Sequence, residues 1–182
     1  MFASSQAVQY LINSPATYLR ANGETPFFTI PVDLIAAGFV PGQTVLLQRL
    51  GSYNNFGGPT PNAFGLTGVF SSSNTLLPWP ILNRVPGAID AGTDWTSLNT
   101  AIGNVNTDIA EDFEIDNMAG TMGPLLITIP AGVQYIFAAA QDNFYTDNNN
   151  TPELWLSIQP VPEPGSILVV MVGLGLFARR RK

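Results

Sequence analysis

The chain has no cysteine and no histidine among its 182 residues, and its only lysine is the last residue. Without thiols there are no disulfides, no thiolate nucleophile and no sulfur-ligated metal. Without imidazole, the common zinc and copper sites and every proton shuttle built on histidine are excluded. The serine run Ser71-Ser72-Ser73 has no base to activate it, so it reads as turn-forming. Any metal must be held by oxygen, which makes calcium the natural candidate. Positive charge is also scarce. Outside the last four residues and Glu163, three arginines (Arg20, Arg49, Arg84) face twelve acids, a formal charge near −9. Nucleic acid is therefore not an expected partner.

What is present is short runs of β-branched and aromatic residues. Residues 7–12, 27–30, 44–48, 68–71, 125–129, 133–138 and 154–158 read as strands. Pro41-Gly42, Gly57-Gly58-Pro59, Pro86-Gly87, Pro130-Ala131-Gly132 and the Asx cluster at 142–150 punctuate them. The spacing predicts an all-β fold, a single antiparallel β-sandwich over residues 8–160, with residues 54–64 as a surface loop. Residues 95–105 and 107–115 also carry a helical pattern, the second alternating equally well.

The end of the chain has a different character. Val161-Pro162-Glu163-Pro164 is followed by an uncharged run through Phe177 and then by Arg179-Arg180-Arg181-Lys182. The prolines end the folded body and open an exposed spacer. The cations belong with anionic headgroups on the cytoplasmic side, which puts the body across the membrane. As a helix, the run of about 14 residues spans about 21 Å. A hydrocarbon core of about 30 Å needs roughly 20 residues, so this is a weak anchor.

Residues 161–182 resemble the PEP-CTERM sorting signal of exported bacterial proteins, carried here by Pro162, Glu163, Pro164, Arg179, Arg180 and Arg181. The resemblance implies an exosortase-type processing enzyme as partner and a C-terminal hydrophobic helix as transient inner-membrane anchor. It also implies delivery to the bacterial cell surface or extracellular matrix. The alternative is an ordinary single-pass tail anchor. Export calls for an apolar leader, yet Met1 is followed at once by Phe2-Ala3-Ser4-Ser5-Gln6-Ala7. Residues 1–7 are read as the end of a signal peptide whose apolar part lies upstream.

The loop from Asp142 to Asn150 stands between two strands and is rich in oxygen donors. Calcium takes about 6–8 oxygens from carboxylates, amides and carbonyls. The other reading is a hairpin connection whose Asx residues cap turns. Asp142, Thr146, Asn149 and Asn150, with the strand that follows, resemble the calcium loop of the bacterial calcium-dependent galactophilic lectins, a jelly-roll-like β-sandwich family. The resemblance implies a Ca2+ site of Asp142, Thr146, Asn149, Asn150 and the Tyr53 carbonyl. It further implies a glycan or exopolysaccharide held near Tyr53, Asp142, Asn143, Thr146 and Asn149. The family's sugar-contacting histidine has no counterpart here, which leaves galactose specificity open. Tyr53, Phe144 and Tyr145 are the rings placed to stack on a sugar. A surface protein without a soluble ligand, its fold locked by calcium, is the competing expectation.

Two further features belong to the body. Asp108, Glu111, Asp112, Glu114 and Asp116 lie within nine residues. Paired carboxylates hydrolyse glycosides only when held in a cleft. On an alternating strand they form a solvated face, with Ile109, Phe113 and Ile115 turned inward, and no enzyme is expected. Such a cluster also suits a loosely held second cation. Arg84, one of three body cations, is expected in a bidentate pair with an acidic side chain.

Overall fold

A computed structural model of the protein describes residues 6–19, 27–56, 62–78, 81, 83–93, 109–142 and 144–162. These form an all-β structure with two antiparallel sheets. The first has the order β1 (Val8–Ile12), β11 (Leu154–Pro160), β5 (Thr44–Gly51), β9 (Leu125–Thr128). In the second, β4 (Val32–Asp33), β10 (Tyr135–Ala140) and β6 (Leu66–Ser71) lie side by side, and the far edge of β6 is shared by β7 (Ala88–Ile89) and β8 (Asp112–Asp116). The short parallel pair β2 (Ala16–Thr17) and β3 (Phe27–Phe28) stands apart. Among the described residues the one helical element is a 3-10 turn, Tyr145–Asp147.

Period-2 alternation builds the core. Val45 and Leu47 of β5, Leu154, Leu156 and Ile158 of β11, and Ile127 of β9 point the same way and meet Leu66, Phe70, Phe113, Ile115, Ile136, Ala138 and Ala140 of the second sheet in one cluster. The opposite face of the first sheet is wetter: Gln48, Leu126 and Gln159 are exposed and Trp155 is half-buried. The second sheet is covered on both faces. Its outward residues Val69, Phe137 and Ala139 pack with Tyr18, Leu19, Val85 and Ile109 in a second cluster, so every residue of β6 is buried. Gly68 belongs to the packing between the sheets: a β-carbon there would lie 3.1 Å from Ile115 Cδ1 and 3.4 Å from Phe113 Cε2.

The acidic stretch departs from the expected solvated face. Phe113 and Ile115 do turn inward, and Ile109 is buried, but Asp112 and Asp116 are buried too. The cause is coverage of the sheet's outer face together with a register shift in the β6/β8 ladder, where Thr67 opposes Glu114 and Leu66 opposes Asp116. Such a bulge re-aims side chains. Asp112 lies beside Tyr18, whose hydroxyl also contacts Thr67 Oγ1 at 2.6 Å. Asp116 is aimed across to the other sheet, where Arg49 Nε of β5 donates to its Oδ2 at 2.6 Å.

This ion pair joins the two sheets. Asp116 Oδ1 also accepts from Met122 N at 3.1 Å, Arg49 donates to the Gly51 carbonyl, and the Arg49 guanidinium lies 5.2 Å from the centre of the Phe64 ring. With the Asp116 side chain only 4 % exposed, removing it strands a cation near the core. We expect Asp116→Ala to cost about 2–3 kcal/mol in urea denaturation, and Asp116→Asn, which keeps the Met122 acceptor, about half that. If an Arg49/Asp116 double-mutant cycle finds no coupling, the pair does not join the sheets.

Arg84 differs from expectation. It is fully buried but meets no carboxylate among the described residues. Nε donates to Leu77 O at 2.9 Å, and Nη1 donates to Thr17 O at 3.1 Å and Leu19 O at 2.8 Å. The segment 17–19 runs over the sheet as irregular backbone whose carbonyls need donors. Arg84 supplies them. The helical pattern over 95–105, the first residues of 107–115 and the chain's first five residues lie outside the described residues.

Candidate functional site

Two loops leave the same end of the sheets. β5 stops at Gly51, with φ +74°, where a β-carbon would collide with the Glu153 carbonyl oxygen. The chain therefore turns there into Ser52-Tyr53-Asn54. The second loop runs from Asp142, after β10, to the start of β11. They meet in an antiparallel bridge between Asn54 and Asn149, with N···O distances of 3.3 and 3.0 Å.

The residues expected to hold calcium have the following positions. Tyr53 is buried, its carbonyl accepts from Asn62 N and Ala63 N at 3.2 Å each, and its hydroxyl donates to Gln141 O at 2.5 Å. Asp142 is nearly buried and its Oδ1 accepts from Phe144 N at 3.1 Å. Thr146 is exposed on the 3-10 turn. Asn149 Oδ1 accepts from Thr151 N at 3.1 Å, closing an Asx turn. Asn150 is turned elsewhere: its Oδ1 accepts from Ser14 N at 2.7 Å and its Nδ2 donates to Asn13 Oδ1 at 2.7 Å. Asn143 lies outside the described residues. Among the described residues no three His, Cys, Asp or Glu side chains are grouped as metal ligands.

The aromatic expectation is corrected at two of its three positions. Tyr53 and Tyr145 are 0 % and 3 % exposed, so neither ring offers a face to a sugar. Large rings favour burial, and Tyr53 packs in the cluster between the sheets. Burial pushes both hydroxyls well above the ordinary tyrosine range, with Asp142 adding to each. Phe144 and Phe56, one on each loop, are 38 % and 75 % exposed. Burial also raises the Asp147 carboxyl above the usual carboxylate range, against the pull of its own backbone amide.

Sequence reasoning missed the third participant, the turn after β1. Ser14 O accepts from Asn148 Nδ2 at 3.0 Å, so Asn148 and Asn150 both anchor the loop on Asn13-Ser14. The Asx-rich composition marked the loop, but nothing local marked a partner more than 130 residues away.

The sorting segment departs from the other end of β11. Pro160 opposes Val45, beyond the last β1 partner at Ile158. A residue without an N–H is tolerated where one neighbour has run out. Val161 N still donates to Thr44 O at 3.0 Å, and Pro162 is exposed. Residues 160–182 match the PEP-CTERM protein-sorting motif. The motif implies export, a transient membrane anchor and processing by exosortase. No curated protein and no solved structure matches this chain. Glu163, Pro164, the expected helix and Arg179, Arg180 and Arg181 lie outside the described residues. No helix among the described residues is long and apolar enough to cross a membrane.

Proposed function

We propose that the PEP-CTERM segment delivers a non-catalytic β-sandwich body to the bacterial cell surface or extracellular matrix, where the body acts as a structural component. The carrying observation is the junction at Val161-Pro162: the motif starts on the last residue of β11, the ladder ends at Val161, and Pro162 is already exposed. A processing enzyme can reach the spacer there without opening the sheets. The described loops also spend many of their polar groups on one another. The test is fractionation of a host carrying an exosortase, comparing the wild-type chain with a Pro162→Ala/Glu163→Ala/Pro164→Ala variant. We expect a shortened body in the surface or medium fraction for the wild type, and full-length variant held in the inner membrane. Full-length wild type in the cytosol would overturn the reading.

A second reading is calcium-dependent carbohydrate binding, with Ca2+ held by Asp142, Thr146, Asn149, Asn150 and the Tyr53 carbonyl. What supports it is the meeting of the two loops at Asn54 and Asn149, with an exposed phenylalanine on each. Retention on a glycan array that a chelator abolishes would favour it. Absence of binding with and without calcium leaves the structural reading alone.

A further inference from the structure

The junction between the β1–β2 turn and the 142–150 loop contains buried oxygens that no donor among the described residues satisfies. Ser14 is fully buried and Asn148 is 5 % exposed, yet Ser14 Oγ and Asn148 Oδ1 have no hydrogen-bond partner. The two residues are neighbours, because Asn148 Nδ2 donates to Ser14 O at 3.0 Å. Asp147, next in the chain, has a buried carboxylate oxygen, Oδ1, in the same condition. Asn150 Oδ1 accepts from Ser14 N at 2.7 Å and keeps a second lone pair. Buried polar atoms left unpaired are costly, and here two belong to the consecutive loop residues Asp147 and Asn148 and one to the turn residue that Asn148 binds.

The amide and carboxylate oxygens only accept, so whatever satisfies them must be positive or a donor. No basic side chain among the described residues is at hand: of the two described arginines, Arg49 is committed to Asp116 and Arg84 to backbone carbonyls. A set of neutral and anionic oxygens without nitrogen or sulfur suits a hard cation. The hydrogen bond from Asn148 Nδ2 to Ser14 O fixes which way the amide faces, since the flipped amide would set oxygen against oxygen.

We propose that Ser14, Asp147, Asn148 and Asn150 form a calcium site that fastens the 142–150 loop to the turn after β1. This goes beyond the sorting reading and does not depend on it. It differs from the lectin-like ligand set, sharing only Asn150. With one carboxylate and several neutral oxygens, its affinity falls in the range of extracellular modules, roughly 10⁻⁴–10⁻³ M. The role is structural, since the ion sits among buried groups and joins two segments more than 130 residues apart.

The test is thermal unfolding of the full chain in mild detergent, titrated with calcium chloride and compared with excess chelator. Calcium is expected to raise the midpoint, saturating in the low millimolar range. Asn148→Ala should abolish the calcium-dependent rise while Asn149→Ala retains it. Asn148→Asp adds a carboxylate and is expected to shift the calcium midpoint about tenfold lower, a gain that a purely structural asparagine would not give. The proposal is overturned if 10 mM calcium leaves the wild-type midpoint unchanged, or if Asn148→Ala keeps the full rise. Loss of the rise in Asp142→Ala and Asn149→Ala but not in Asn148→Ala would assign the ion to the lectin-like set and equally overturn it.

Discussion

Arg84→Met is expected to lower the unfolding free energy by about 4 kcal/mol, a large share of the roughly 5–15 kcal/mol that holds a domain of this kind together. The guanidinium donates to three backbone carbonyls, of Thr17, Leu19 and Leu77. A buried acceptor left without its donor costs about 1–3 kcal/mol. Part of the loss is recovered, because an ionised side chain no longer has to be desolvated. That desolvation is visible in Arg84 itself: burial lowers its pKa to about 10, and Nη2 has no partner among the described residues. The methionine keeps the aliphatic volume, so packing changes little and the missing donors dominate. Arg84→Lys should fall between, at about 2 kcal/mol, since a compact ammonium cannot reach acceptors spread across the fork. Urea denaturation with an unchanged slope is the measurement. A methionine variant within 1 kcal/mol of wild type would mean the carbonyls find other donors, and that Arg84 is not what fastens residues 17–19 to the sheet.

How far such contacts could be foreseen depends on their range along the chain. Strands β5, β6, β9, β10 and β11 were legible because Thr44–Gly51, Leu66–Ser71 and Leu154–Pro160 alternate or carry β-branched and aromatic runs. The two-residue strands β2, β4 and β7 were not, since partners elsewhere in the chain make them strands. β8 was half-legible: its alternation puts Phe113 and Ile115 inward, but the bulge opposite Leu66 and Thr67 re-aims Asp116 toward Arg49. A one-dimensional pattern cannot show that bulge. The same holds at the loop. Asp142 to Asn150 was marked as a polar loop by composition, whereas the turn at Asn13-Ser14 that receives Asn148 and Asn150 has no local signature. Arg84 was singled out for its rarity among acids. Its environment then reversed the expected partner, because the coil it crosses needed donors more than Arg84 needed a counter-charge.

Above pH 10 the protein is expected to lose stability steeply, and the slope follows from its buried phenols. Tyr18, Tyr53 and Tyr145, three of the five tyrosines, are each at most 3 % exposed. Burial raises all three above their ordinary value of 10.0; Asp112 adds to the rise at Tyr18 and Asp142 at Tyr53 and Tyr145. In the unfolded chain they ionise near pH 10, while in the folded chain they stay protonated. The native state therefore holds more protons than the unfolded state. Stability is fully present below pH 10 and declines as pH rises toward the folded-state values. Arg84 opposes this. Burial lowers its folded pKa to about 10, so above that pH the unfolded chain holds the extra proton and this one group favours folding as pH rises. Three protons against one give a net slope of about 2.7 kcal/mol per pH unit. A reserve of about 5–15 kcal/mol is then exhausted within a few units. Urea midpoints from pH 8 to 11.5, read beside tyrosinate absorbance near 295 nm, check both halves. The midpoint should hold to about pH 9.5 and then fall, and three tyrosines should ionise only as the chain unfolds. Titration of Tyr18, Tyr53 and Tyr145 near pH 10 in the folded protein, with an unchanged midpoint, would show that water reaches these rings.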